Sequence, residues 1–215
     1  KKAALEGLEL AYSYMQKKFV TEGETVAPLW VKDGKKLSEW SFWNFGLQAQ
    51  LGFPFEDGEE ILVDKRAATY FYVTFLPSKL GGATFYLTGL RDSDGNMLNG
   101  KDTYKLNVPS DVPAKDFWSA IVYNMETKNF NRGVDRVGAS TKDLDKMIKN
   151  ADGSVDVYYA PNLDEVPEGY EANWVTTQSA TDANDWFFLF RLYRPETKDW
   201  FKTWMLNDVE NISDK

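Results

Sequence analysis

The chain has 215 residues, 43% of them apolar, and a net charge of −8. That length suits one large domain or a domain with an appended helical segment, and the charge excludes phosphate backbones and anionic membranes as partners. With no histidine and no cysteine, His-based acid/base chemistry, thiolate nucleophiles, disulfides and His- or Cys-ligated metals are excluded. Chemistry is left to carboxylates, Lys, Arg, Tyr, Ser, Thr or a hard cation. Eight Trp, eleven Tyr and fourteen Phe favour half-buried strands and binding surfaces.

No apolar run reaches the roughly 18 residues of a membrane span, and no signal peptide is visible. The chain begins KKAALEGLEL without an initiator Met. A mature form, an engineered chain and a piece of a longer protein all fit that start.

In residues 1–20, Leu5, Leu8, Tyr12, Met15 and Phe19 recur at helical spacing, so an amphipathic helix with a packing face is expected. A Gly/Pro-punctuated loop follows. "SEWSFWNFGLQAQ" (38–50) then predicts a second helix, with Ser38 as N-cap and Trp40, Trp43 and Leu47 on one face. "FEDGEE" is an acidic loop, and residues 60–68 are open between a short helix and an irregular lead-in.

From residue 69 the period becomes two. Seven strands are expected: "TYFYVTFL", "ATFYLTGL", "TYKLNV", "DFWSAIVYN", "SVDVYYA", "ANWVTTQ" and "WFFLFRLYR". Between the fourth and fifth, "STKDLDKMIKN" predicts a short inserted helix capped by Ser140 or Thr141. The tail predicts a turn of helix and then an edge strand. The whole reads as a mainly β, jelly-roll-like antiparallel β-sandwich with two N-terminal helices. Residues 1–59 form the helical segment packed on it, and residues 60–215 form the sandwich domain.

"RDSDGNMLNGKDTYKL" (91–106) imitates a calcium loop. Counted from Asp92, the sixth position is Met97 and the twelfth Thr103, where an EF-hand needs Gly and Glu. The segment is therefore read as a turn through Asp94-Gly95-Asn96, and Asp152-Gly153 as a second such turn. No metal site and no cofactor are expected.

In "NVPSDVPAKDFWSAIVYNMETKNF", Pro109, Val112-Pro113, Phe117-Trp118-Ser119 and Val122-Tyr123 resemble a bacterial family with paired domains of unknown function numbered 1254 and 1214. "RAATYFYVTFLPSKLGGATFYL", "RDSDGNMLNGKDTYKLNVP", "NADGSVDVYYAP" and "EANWVTTQ" with "WFFLFRLYRP" follow the same order, so the likeness covers about residues 60–210 and is to the C-terminal, 1214-type half. The resemblance implies a jelly-roll sandwich with helices at the junction to a preceding domain. It also implies an N-terminal partner domain and an export signal, hence a periplasmic or extracellular location. It supplies no catalytic residue.

In "WFFLFRLYR", Arg191 shares a face with Phe187, Leu189 and Tyr193. An Arg among apolar neighbours needs a partner. Asp156 as a structural mate, or a bound anion, would supply one. In "FWSAIVYN", Ser119 and Tyr123 share a parity and would form a small polar pocket if Arg191 were close. Asn173 beside Trp174 would suit a sugar, with the ring under its apolar face and the amide on its hydroxyls; a Trp plugging the end of the sandwich is the plainer reading. Glu56, Asp57, Glu59 and Glu60 read as a solvated loop or a helix N-terminus rather than a glycosidase pair.

Three functions remain. The leading one is a non-enzymatic envelope module that binds a glycan or small anion. The second is half of a carboxylate- or cation-dependent hydrolase completed by a second domain. The third is a structural protein that forms homo-oligomers.

Overall fold

The computed structural model describes residues 1–21, 26–43, 56–64, 66–67, 84–131, 133–178, 185–197 and 199–213. The expected strand "TYFYVTFL" and most of the expected helix at 38–50 lie outside these residues. The chain divides into two compact units, Lys1–Ala27 with Phe42–Gly81, and Pro28–Ser41 with Gly82–Lys215.

Helix α1 (Lys2–Val20) is the one long helix described. Phe19 is its buried residue, while Leu5 and Leu8 are exposed. The strands follow in chain order: β1 (Val26–Pro28), β2 (Val31–Lys32), β3 (Lys35–Lys36), β4 (Ser41–Trp43), β5 (Glu56–Asp57) and β6 (Glu60–Ile61) come before the main body. After them come β7 (Thr84–Gly89), β8 (Tyr104–Val108), β9 (Ala114–Asn124), β10 (Gly138–Ser140), β11 (Val155–Ala160), β12 (Trp174–Thr176), β13 (Trp186–Pro195) and β14 (Glu210–Asn211).

The second helix expected from residue 38 is a correction. Ser41–Trp43 is a strand, and Ser38 caps nothing helical: its hydroxyl donates to Asp208 Oδ1 at 2.7 Å. Trp40, Ser41 and Phe42 are all buried, and a run this aromatic prefers extended backbone. The inserted helix shrinks to a 3-10 turn, Thr141–Asp143, but Ser140 is its cap, in a reciprocal capping box with Asp143. The tail matches its expectation: a 3-10 turn at Trp200–Lys202 leads to β14, which lies at the edge of its sheet.

Within the larger unit, β7, β13, β9 and β10 hydrogen-bond in that order, all antiparallel. A second sheet runs β12-β11-β8-β14. Its β11–β12 pair is parallel, and its other pairs are antiparallel, as expected. A parallel pair needs a crossover, and two 3-10 turns, Leu163–Glu165 and Glu171–Asn173, fill it. The acidic segment forms a turn with Gly95 at φ 83°, where the Asp92 carboxylate accepts from the backbone N–H groups of Asp94 and Asn96.

One buried cluster draws on both sheets. Leu87, Trp118, Ala120, Val122, Phe188, Phe190 and Leu192 come from the first, and Tyr104, Leu106, Val155, Val157, Tyr159 and Val175 from the second. Alternation along each strand puts these residues on one face. Arg136 reaches both sheets from one side. Its Nε donates to the Gly138 carbonyl on β10, and its Nη1 donates to the carbonyl of Ala172 and to that of Trp174, the first residue of β12. We predict that Arg136→Ala lowers unfolding free energy by about 2–3 kcal/mol, read as a lower urea midpoint with an unchanged m value.

Candidate functional site

The face of the first sheet that does not enter this cluster carries the site. Register places Tyr86 of β7 and Ser119 of β9 directly opposite Arg191 of β13, one on each side. Ser140 of β10 continues the row beyond Ser119. The next pairs toward Phe187 are Thr88 with Leu189 and Leu189 with Ile121, then Phe187 with Tyr123.

The Arg191 side chain leans along its strand in that direction, because its Nη2 donates to the Tyr123 hydroxyl. Its guanidinium carbon stands 5.3 Å from the Tyr86 ring centre and 5.7 Å from that of Tyr123, so two ring faces contribute cation–π attraction. Burial pushes the Tyr123 phenol above its ordinary value, against the opposing pull of Arg191. The phenol therefore stays protonated near neutrality and does not neutralise the guanidinium. Among the described residues no carboxylate pairs with Arg191. Asp156, the mate weighed from sequence, lies on β11 of the other sheet and accepts from Asn107 at 2.7 Å. Arg191 Nε is buried without a hydrogen-bond partner.

The structure thus brings together Arg191, Tyr123 and Ser119. It places Asn173 and Trp174 elsewhere, at the edge of the second sheet. Asn173 is fully buried. Its Oδ1 accepts from the Ile148 N–H at 2.7 Å, and its Nδ2 donates to the Ile148 and Asp156 carbonyls, each at 2.8 Å. All of that amide is spent on backbone. The half-buried Trp174 packs against Tyr158, Ala160 and Val166 and donates its indole N–H to the Ala160 carbonyl.

Sequence reasoning missed Tyr86 and Thr88. The alternation in "TFYLTG" puts both on the face opposite Leu87, which was legible. Their pairing with β13, about a hundred positions along the chain, was not. A surface depression of about 700 Å³ lies away from this face, lined by Leu163, Asp164, Val166, Glu168 and Glu171. Its carboxylates repel anions. Among the described residues no cluster of three or more carboxylates could hold a metal ion.

The model of a family described as "Protein of unknown function (DUF1214)" matches residues 83–197. The chain belongs to this family. All the strands around Arg191 fall inside the DUF1214 match. No curated protein matches the chain. Among solved structures, the VPA0106 protein from Vibrio parahaemolyticus is similar at 17% identity and a TM-score of 0.50, covering 69% of this chain and 35% of that one. An uncharacterised protein from Burkholderia cenocepacia is similar at 16% identity and a TM-score of 0.39, over 70% of this chain and 40% of that one. The DUF1214 chain therefore spans well under half the length of either structure. The first likeness shows a shared fold, and neither name carries a function.

Two predictions follow from the contrast between Arg191 and Asn173. Arg191→Met is expected to unfold at the same urea concentration as wild type or higher, since a lone desolvated charge is exchanged for an apolar chain of similar length. Asn173→Ala is expected to lose about 2–4 kcal/mol in the same titration, because three buried backbone groups lose their partners. Asp208 gives a pH prediction. Burial raises its carboxyl above the ordinary value, although the Ser38 hydroxyl and the Glu39 N–H pull it back. A raised folded value means that its stabilising contribution is complete below the unfolded value, about 3.9. That contribution is lost as pH rises through the folded value. Asp208→Asn keeps an acceptor for both donors, so its stability from pH 3 to pH 7, followed by thermal unfolding, is expected to gain on wild type as pH rises.

Proposed function

We propose that this DUF1214 chain is a non-enzymatic binding module for a small anion, centred on Arg191 with Tyr123 and Ser119. One observation carries the reading: a half-buried guanidinium that is hydrogen-bonded to a neutral phenol, flanked by two aromatic faces and paired with no carboxylate among the described residues. Burying a charge without a counter-charge is costly, and a bound anion removes that cost. The glycan variant, resting on Asn173 and Trp174, has less support because the Asn173 amide is already saturated.

In the same reading, the two sheets form a jelly-roll sandwich closed over their shared cluster. The chain works beside an N-terminal domain of the 1254 type in the cell envelope, in the periplasm or outside the cell. Family resemblance supports that arrangement. The hydrolase-half and structural-oligomer readings have no comparable observation behind them.

The test is a thermal-shift screen against calcium, magnesium, sugars, small carboxylates and phosphate. A ligand specific to the folded state, at a hundred times its dissociation constant, adds roughly 2.7 kcal/mol. An anion is expected to raise the melting temperature of wild type and leave Arg191→Met unmoved. A screen in which every anion leaves wild type unmoved removes the reading. A response that survives in Arg191→Met moves the site elsewhere.

A further inference from the structure

Helix α1 is exposed along residues 1–14. Leu5 and Leu8 stand in water with exposures of 54% and 69%. Met15 is half-buried, and burial is complete only at Phe19. A short helix in water gains little from its own hydrogen bonds, and most of its stability comes from packing an apolar face. Leu5, Leu8, Tyr12, Met15 and Phe19 follow one another at alternating intervals of three and four. That is the a/d seam of a coiled coil. The inner end of the seam is packed within the chain, and the outer end offers its apolar side chains to a second helix.

The flanks of the seam say which helix fits. With Leu5 and Tyr12 at a, the e positions are Lys2, Glu9 and Gln16, and the g positions are Ala4, Ala11 and Lys18. A second copy laid antiparallel over residues 1–12 puts Leu5 of each chain against Leu8 of the other. The e flank then sets Lys2 against Glu9 of the second copy and, by two-fold symmetry, Glu9 against its Lys2. The g flank sets Ala4 against Ala11, and side chains this small let the helix axes come close. Lys2 also meets Glu6 of its own helix at 3.8 Å, but an ion pair so exposed is exchanged at little cost. Other registers fail. A shift of one heptad brings Glu9 against Glu9 and carries the second copy over Met15 and Phe19, which are already packed. A parallel pair gathers Lys1 and Lys2 of both chains at one end and leaves Glu9 against Ala4.

We infer that α1 is a dimerisation helix, in which residues 1–12 of two copies of this chain pair antiparallel. Leu5 and Leu8 form the centre, Ala4 and Ala11 one flank, and the Lys2–Glu9 pairs the other. The paired segment is about 18 Å long, which places the contact at the small end of specific interfaces. The dimer is therefore weak and forms as concentration rises. The overlap ends at residue 12, short of Met15, so neither copy has to unpack its own helix to bind the other. This contact lies outside the anion reading of Arg191, and neither depends on the other.

The experiment is sedimentation equilibrium of the whole chain from roughly 1 to 300 µM, the range of weak association, with circular dichroism recorded on each variant. Wild type is expected to pass from the monomer mass toward twice that mass. Leu8→Glu is expected to stay monomeric. Leu10→Glu, on the opposite side of the helix at 73% exposure, is expected to dimerise like wild type. Lys2→Glu and Glu9→Lys are each expected to weaken the dimer about tenfold, because two attractive pairs become repulsive. Mixed in equal amounts, these two variants are expected to associate as tightly as wild type, since each then meets the opposite charge at both places. That mixture also decides the matter if Leu8→Glu loses its helix. Monomer mass at every wild-type concentration overturns the proposal and leaves the exposed seam to a different protein. A dimer that survives in folded Leu8→Glu, or that Leu10→Glu abolishes, overturns it too, since the contact then lies elsewhere. A mixture no tighter than either charge variant alone overturns the antiparallel pairing, and the proposal with it.

Discussion

Strand β13 is hydrogen-bonded on both edges, to β7 along one side and β9 along the other. A strand so placed has no free edge and must present both its faces to side chains of its neighbours. One face carries Trp186, Phe188, Phe190 and Leu192 into the shared cluster. The other carries Phe187, Leu189, Arg191 and Tyr193. Had β13 lain at an edge, Arg191 could have turned to water. Between two partners, its guanidinium is confined to the space left by Tyr86, Thr88, Ser119 and Tyr123.

The tyrosines make that confinement tolerable. A cation between ring faces is partly stabilised without losing its charge, and the phenol oxygen of Tyr123 accepts a hydrogen bond from its Nη2. Stacked rings bracket the place on both sides. Phe117 and Tyr193 lie 3.9 Å apart, and Tyr123 and Phe187 lie 5.3 Å apart. The sheet thus sets a guanidinium among aromatic rings that come from strands far apart in sequence. The second sheet has an opposite character on its crossover, where Asp164, Glu168 and Glu171 line a depression.

Much of this was legible in the sequence, for a physical reason. Period-two alternation is a local property, so β7, β8, β9, β11, β12 and β13 appear where the pattern placed them. The parity of "WFFLFRLYR" alone set Arg191 apart from the core. The misreadings arose where local pattern was degenerate or partners were distant. "SEWSFWNFGL" satisfies period two through Trp40 and Phe42 and helical spacing through Trp40, Trp43 and Leu47. Distant contacts decided it: the Trp40 indole donates to the Asn207 carbonyl, and Asp208 accepts from Ser38 and Glu39. Asn173 looked available beside Trp174 because nothing local reveals that the Ile148 and Asp156 backbone saturates its amide. Thr88 could be placed on a face but not next to Arg191, since register between β7 and β13 is a property of the folded sheet.

The aromatic cluster has a consequence of another kind. Tyr104 meets Trp186 edge-on, Tyr159 stacks on Trp186 and Phe188, Trp40 meets Phe188 and Phe190, and Trp118 stacks on Phe190. These rings form one continuous chain of chromophores at fixed angles. Coupled transitions in such a chain give strong near-ultraviolet circular dichroism, and the fluorescence of Trp40, Trp118 and Trp186 reports on a shared environment. The core of this protein is therefore its own optical probe. Phe188 and Phe190 alternate along β13 with Leu189 and Arg191, so a shift of that strand on the far face changes the angles that set the signal.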